Sequence, residues 1–254
     1  NITQIMQHYD VGLDALKEAN PNVNFDQLSA STSLTIPTQF ILPMVSRRGM
    51  VVNLAALRLM LYLPKAHSIE VLPVGVGKAG AETPIFKTNI ISKAKNPDWV
   101  PTASVRQAFL DENGYPMPLV VPSNEQNPLG YYAMRLSDPT YLMHGTIDPA
   151  GVGSRVSAGC LRMFNEDNKT IFHLCRIGTR VNIINEPYKA GWQGKTLYLE
   201  AHAPISKDQW YKGYKTALDQ ARHHRRGRLT IDWQKVKDTV SAHTGIPVAV
   251  GSVA

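Results

Sequence analysis

Cysteine is nearly absent from this chain: Cys160 and Cys175 are the only two in 254 residues. Two thiols exclude a disulfide framework for a protein of this size. A free thiol in so cysteine-poor a sequence is either a small buried hydrophobe or a reactive group. Long apolar runs are missing too. The most apolar stretch, Met50 to Leu63, is broken by Asn53 and Arg58. A membrane-spanning helix needs roughly 20 apolar residues, so none is expected. No signal peptide opens the chain, which starts at Asn1, and a processed protein is expected rather than a cytosolic one. Acidic charge is the scarcer sign, with 20 Asp and Glu against 27 Lys and Arg, a net +7. From residue 204 onward nine basic residues face four acidic ones, so +5 of that charge lies in the last fifth. The run Arg222-His223-His224-Arg225-Arg226 holds no aromatic, and no zinc-finger or RNA-binding signature surrounds it. It reads as a solvated basic face, with no nucleic-acid partner expected. His223 and His224 lack the i, i+4 spacing of a helical metal site, and neither metal nor cofactor is expected.

What is present is an ordinary folding composition, 43% hydrophobic and 19% charged, which excludes wholesale disorder. Ile2, Ile5, Met6 and Tyr9 fall at helical spacing, and Leu13, Leu16 and Ala19 follow in a second helical stretch that Asn20-Pro21-Asn22 breaks. Ser33 to Ile36 reads as a short strand. From Met50 the pattern turns to β-rich segments punctuated by Pro and Gly: Met50 to Leu54, Arg58 to Leu63, Ser68 to Val76 and Thr83 to Ser92. Ala133 to Leu136, Tyr141 to Met143, Arg180 to Ile184 and Leu197 to Ala201 add further strands, with a helix over Asn165 to Arg176 between them. In the tail, Gln209 to Ala221 places Trp210, Tyr214, Ala217 and Ala221 on one helical face. A second helix, capped by Thr230, aligns Trp233, Val236 and Val240 and stops at Gly245. The expected architecture is a mainly β, β-rich α+β domain over 49–202. A small α+β module over 1–43 precedes it, and a helical subdomain over 203–254 follows.

The chemistry concentrates in Tyr141-Leu142-Met143-His144-Gly145-Thr146 and, after a glycine-rich loop, Ser157-Ala158-Gly159-Cys160-Leu161-Arg162-Met163. A histidine at the end of an apolar strand is held rigidly, as a general base must be. An imidazole beside a thiol accepts its proton and stabilises the thiolate, which is the nucleophilic form. Gly159 lets the backbone approach closely, so the amides of Gly159 and Cys160 are expected to face a developing oxyanion. A helix starting just after Cys160 is expected to lower the thiol pKa through its dipole. Cys175, among Ile171, Phe172 and Leu174, reads as a buried structural thiol, and His173 as a surface residue. Arg135 reads first as a strand-surface charge, with the substrate groove as its alternative, and Tyr131 and Tyr132 are secondary candidates for the groove wall.

Several blocks in order carry a resemblance. They are Val74-Gly75-Val76-Gly77-Lys78, Thr83-Pro84, Lys95-Asn96-Pro97-Asp98-Trp99, Asn127-Pro128-Leu129-Gly130, Ala133-Met134-Arg135-Leu136, His144-Gly145-Thr146, Ser157 to Met163 and Gly178-Thr179-Arg180-Val181. The segment from about Val51 to Ala201 resembles the catalytic domain of L,D-transpeptidases of the YkuD family, in the manner of its Gram-negative members. The resemblance implies that Cys160 is the acylated nucleophile and His144 its base, with the Gly145 carbonyl orienting the imidazole. It implies that Ser157 and Gly159 shape the loop and oxyanion site, and that Arg162 grips a peptide carboxylate. Two positions depart from the family pattern: Ala158 stands where many members carry a second His, and Ile85-Phe86 follow Thr83-Pro84 where a Gly is common. The implied reaction takes a peptidoglycan tetrapeptide stem, releases D-Ala and passes the acyl group to another stem or to an envelope-protein lysine. Water as acceptor makes the protein an L,D-carboxypeptidase, and loss of catalysis makes it a wall-binding protein. A Gram-negative periplasm is the implied location. Residues 1–43 resemble a LysM glycan-binding module through Tyr9-Asp10-Val11, Asn20-Pro21-Asn22-Val23, Leu28 and Leu34-Thr35-Ile36-Pro37, without that fold's first strand.

Overall fold

A computed structural model of the chain describes residues 1–205, 213–225 and 227–254. Helix α1 (Ile2–Tyr9) opens on a capping box. The Asn1 side chain accepts from Gln4 N and the Gln4 side chain returns to the Asn1 backbone. Helix α2 (Leu13–Ala19) ends at Asn20, whose side-chain amide donates to Leu16 O and Thr35 O while its oxygen accepts from Thr35 N. That side chain takes the place of a strand partner. The stretch 33–36, expected as a strand, is therefore extended coil tied to a side chain rather than to a sheet.

The strands that follow are β1 (Gly49–Asn53), β2 (Arg58–Leu63), β3 (Ser68–Pro73), β4 (Val76–Gly77) and β5 (Lys87–Lys95). Helix α3 (Ala103–Asn113) follows, then β6 (Tyr132–Leu136), β7 (Leu142–His144), β8 (Arg155–Ser157), β9 (Leu161–Arg162), α4 (Asn165–Leu174) and β10 (Arg180–Ile184). One eight-stranded sheet runs β3-β2-β1-β10-β5-β6-β7-β9, and β4 pairs with β8 in a separate ladder. The strand period of two divides the residues of this sheet, with one irregularity in β5 between Ile90 and Ser92 that shifts the faces there. Ile90, Met134, Leu136, Met143 and Leu161 are buried on one face. Ser92, Ala94, Ala133, Arg135, Leu142, His144 and Arg162 line a cleft on the other. This is the mainly β domain the sequence pattern leads one to expect.

Helix α3 escapes the sequence reading because none of its residues is buried, which leaves no apolar stripe to see. Its ends are nonetheless marked by Thr102, whose side chain accepts from Val105 N, and by left-handed Gly114. Helix α4 stops at Leu174, short of the expected Arg176. Lys93 from β5 donates to the carbonyls of Phe172 and Cys175 there, satisfying the last turn.

Beyond residue 184 come β11 (Tyr188–Gln193), β12 (Thr196–Ala201), α5 (Tyr214–His223), β13 (Leu229–Ile231), α6 (Trp233–Ala242) and β14 (Val248–Val253). The tail carries the two expected helices and, in addition, two strands. Leu197 to Ala201 belongs not to the catalytic sheet but to a second one of order β11-β12-β14-β13. Its core is Ala190, Leu197, Leu199, Ala217, Leu218, Ala221, Val236 and Val250. The cap of α6 is Asp232, which accepts from Lys235 N, because Thr230 is occupied in β13. Left-handed His243, rather than Gly245, ends that helix. The expected helical start at Gln209 and Trp210, and Arg226 of the basic run, lie outside the described residues.

By contacts the chain forms two compact units: one of Arg48–Val52 and Leu59–Ile183, the other of Asn1–Arg47, Asn53–Arg58 and Ile184–Ala254. The second unit draws on both flanks of the catalytic stretch, where the sequence suggested separate modules. Its centre is polar. Glu200, fully buried, accepts from Arg58, Lys189, His202 and the amide of Ile41, and His202 also meets Glu18 of α2 at 2.8 Å. Among the described residues, no helix is long and apolar enough to cross a membrane.

Candidate active site

The cleft over the first sheet has a volume of about 980 Å³ and contains both Cys160 and His144. Strand register explains why they meet. Across β6, β7 and β9, Ala133 pairs with His144 and His144 with Arg162, while Arg135 pairs with Leu142, which precedes the Met143–Leu161 pair. The parallel β7–β9 register places Cys160 beside Leu142, so Arg135, Leu142 and Cys160 form a second row next to the first. His144 and Cys160 come from different strands and loops, and it is the β6-β7-β9 ladder that aligns them.

His144 is buried, and its Nδ1 lies 2.7 Å from the carbonyl of its neighbour Gly145. A carbonyl only accepts, so Nδ1 carries the proton and Nε2 presents a lone pair to the cleft. Asn165 fixes this carbonyl's segment by accepting from Thr146 N and donating to Thr146 O. A Cβ at Gly145 would collide with the Asn165 side chain, so the position requires glycine. Burial lowers the His144 pKa from 6.5 to about 4, the Gly145 bond opposes this, and the Arg162 charge adds to it.

The Cys160 thiol receives a hydrogen bond from Leu142 N at 3.4 Å and donates toward Thr140 O at 3.8 Å. Its pKa is raised above the ordinary value, chiefly by burial, against the Leu142 amide and the charges of Arg162 and Arg135, which lower it. Strand β9, not a helix, follows the thiol, and α4 begins only at Asn165. The expected dipole effect is therefore absent. Both shifts favour a neutral thiol beside a neutral imidazole over a stored ion pair.

Ser157 organises the loop between them. Its Oγ donates to Cys160 O at 2.6 Å and accepts from Gly159 N at 3.1 Å. The Gly159 amide is thus committed inside the loop instead of facing an oxyanion as expected. Gly159 itself has φ +107°, and a Cβ there would come within 2.9 Å of the Tyr141 ring. Thr83 clamps the loop from outside, donating to Gly159 O at 2.8 Å while accepting from Gly77 N at 2.9 Å. Phe86, which follows the Thr83-Pro84 turn, lies with its ring centroid 5.9 Å from that of Tyr141.

Arg162 reaches the cleft with 20% of its side chain exposed, 4.0 Å from Asp148, and its Nε is buried with no partner among the described residues. Arg135 lines the cleft, the alternative to the strand-surface charge that the sequence favoured. Tyr131 and Tyr132 do not line it, and Tyr132 stacks on Phe172 and His173. Cys175 is buried, with its pKa pushed up to about 11 by burial. Missed from sequence were Tyr141, Trp99 and the α3 residues Val105, Ala108 and Phe109, which wall the cleft. The one available signal was the alternation Tyr141, Leu142, Met143, His144, which marks Leu142 and His144 as neighbours on one face.

Residues 47–183 match the L,D-transpeptidase catalytic domain called YkuD. The chain is 37% identical to the probable L,D-transpeptidase YcfS of Escherichia coli over 98% of its own length and 80% of that protein's. It is 36% identical to the probable L,D-transpeptidase ErfK/SrfK of Salmonella typhimurium over 96% of its length and 80% of the relative's. A crystal structure of an L,D-transpeptidase from Mycobacterium tuberculosis aligns at 18% identity and a TM-score of 0.38, over 53% of this chain and 56% of that one. This chain belongs to the YkuD family of L,D-transpeptidases. It is an acyltransferase acting on peptidoglycan.

Proposed function

We propose that Cys160 is the acylated nucleophile of this L,D-transpeptidase and His144 its base. The observation that carries the reading is the shared cleft in which the Cys160 thiol and the buried His144 imidazole sit on adjacent rows of one sheet face, with Nδ1 fixed on Gly145 O. His144 Nε2 takes the thiol proton as sulfur attacks the carbonyl between diaminopimelate and D-Ala of a tetrapeptide stem. The C–N bond breaks, the leaving amine takes that proton from the imidazolium, and D-Ala departs from a thioester. An acceptor amine, of a second stem or of an envelope-protein lysine, attacks the thioester, gives its proton to His144 and restores the thiol. Ser157 and Gly159 hold the loop, the Cys160 amide is its remaining oxyanion donor, and Arg162 supplies positive charge at the groove floor. A carbapenem, with its strained amide carbonyl, acylates the same sulfur. The location is the periplasm of a Gram-negative cell. Residues 1–43 bind wall glycan, in keeping with their LysM-like motifs.

The test is incubation with purified tetrapeptide muropeptides and mass analysis of the products. Cys160→Ala abolishes D-Ala release and cross-linked product, while Cys175→Ser retains most turnover. Full turnover by Cys160→Ala would sink the assignment, and a tripeptide product alone would define a carboxypeptidase.

A further inference from the structure

We propose that Arg135 is a specificity-determining residue that binds the carboxylate of the residue leaving from the donor stem. The inference rests on the acyl transfer proposed above and concerns its leaving group. Arg135 and Cys160 share the cross-strand row through Leu142, whose amide touches the thiol. Neighbouring strands lie about 4.8 Å apart, so the Arg135 backbone is roughly two strand spacings from that of Cys160. An extended arginine side chain covers most of that distance along the cleft. The leaving residue's carboxylate lies one residue beyond the attacked carbonyl, and successive Cα atoms are about 3.8 Å apart. A substrate attacked at Cys160 with its leaving residue directed along the row brings that carboxylate to the Arg135 guanidinium.

The guanidinium is prepared for such a partner. It is exposed in the cleft, and Nη1 is steadied by Pro139 O at 2.6 Å. No carboxylate pairs with it among the described ion pairs, whereas Arg162 already has Asp148 beside it and is four-fifths buried. Its charge is felt at the thiol, where it helps to hold the Cys160 pKa down. On β6 its neighbours Met134 and Leu136 are buried, so the alternation of the strand commits Arg135 to the cleft face. A guanidinium offers a planar fork that matches a carboxylate in two hydrogen bonds, which an ammonium cannot copy.

The experiment compares D-Ala release from a tetrapeptide with alaninamide release from its C-terminal carboxamide, as a ratio of kcat/KM. The intrinsic difference between the two leaving groups cancels when ratios are compared between enzyme forms. The carboxylate-to-carboxamide ratio of wild type exceeds that of a variant without the guanidinium by about ten- to hundredfold, the worth of a charge-assisted hydrogen-bond pair. Arg135→Gln lowers the ratio by that factor relative to wild type, and Arg135→Lys restores part of it. A ratio that persists in Arg135→Gln, or collapses in Arg162→Gln alone, overturns the assignment. Turnover of either substrate by Cys160→Ala would instead remove the proposed nucleophile, so the two failures are distinguishable.

Discussion

A resting neutral thiol–imidazole pair has a kinetic signature that an ion pair lacks. His144 falls from 6.5 to about 4 on burial, which disfavours the imidazolium by about 3 kcal/mol at about 1.4 kcal/mol per pH unit. Burial also raises Cys160 above its ordinary value of 9.0. At pH 7 fewer than about one thiol in a hundred is therefore ionised before substrate arrives. Alkylation by iodoacetamide follows the thiolate fraction, so its rate at Cys160 rises about tenfold per pH unit, about a thousandfold between pH 5 and pH 8. A stored thiolate–imidazolium pair would hold the rate nearly flat over the same range.

The assay is time-resolved mass spectrometry of the Cys160 peptide, with Cys175, pushed up to about 11, as the slow internal reference. His144→Ala keeps the steep slope, because the histidine does not hold the resting thiolate. The same variant acylates slowly with a carbapenem, because attack on a carbonyl still needs its proton acceptor. A rate at Cys160 that changes less than about threefold from pH 5 to pH 8 would refute the neutral pair. A slope that flattens only when His144 is present would do the same.

Two further outcomes follow from the other unit. Lys189→Met leaves the buried Glu200 without its 2.6 Å partner and destabilises the fold by about 3 kcal/mol, read as a lower urea midpoint; an unmoved midpoint removes the pair from the stability account. Burial would raise the Glu200 pKa, but Lys189, His202 and Arg58 hold it well below the usual carboxylate range. Its contribution is therefore present above the unfolded value near 4.5 and is lost only in stronger acid. Tyr9, an exposed aromatic on α1 that packs on His8, serves as the probe of glycan binding. Tyr9→Ala weakens pelleting with purified sacculi at an unchanged melting temperature, and pelleting equal to wild type takes glycan binding away from this surface.

The parts of the fold legible in the sequence are those with a local periodic signal. The strands from Met50 to Leu63 and from Ala133 to Leu136, and the helix from Asn165, announce themselves by which residues must be buried. Cys160 and His144 were legible because a strand-end histidine and a Gly-Cys loop are chemically loaded. What lay outside local pattern went unseen. Helix α3 buries nothing, so it has no stripe, and β14 finds its partner in the distant β12 while β13 pairs in turn with β14. The Gly159 amide was misassigned because its partner, the Ser157 hydroxyl, is chosen by loop geometry that spacing does not encode. Arg135 looked like a surface charge because the sequence does not reveal which face of β6 carries the cleft.

Strand β14 lies between β12 and β13: Ser252 pairs with Thr196 on one side and Thr230 on the other, and Gly251 with Leu197 and Ile231. It also follows every other described strand in chain order. Every strand of the catalytic sheet lies between Gly49 and Ile184, so that sheet has all its members once residue 184 has left the ribosome. The second sheet has no middle until about 70 residues later, on the order of ten seconds at ordinary translation rates. Until then β12 has a partner only on its β11 side. Truncation before Val248 is therefore expected to open the second sheet while leaving every strand of the first in the chain.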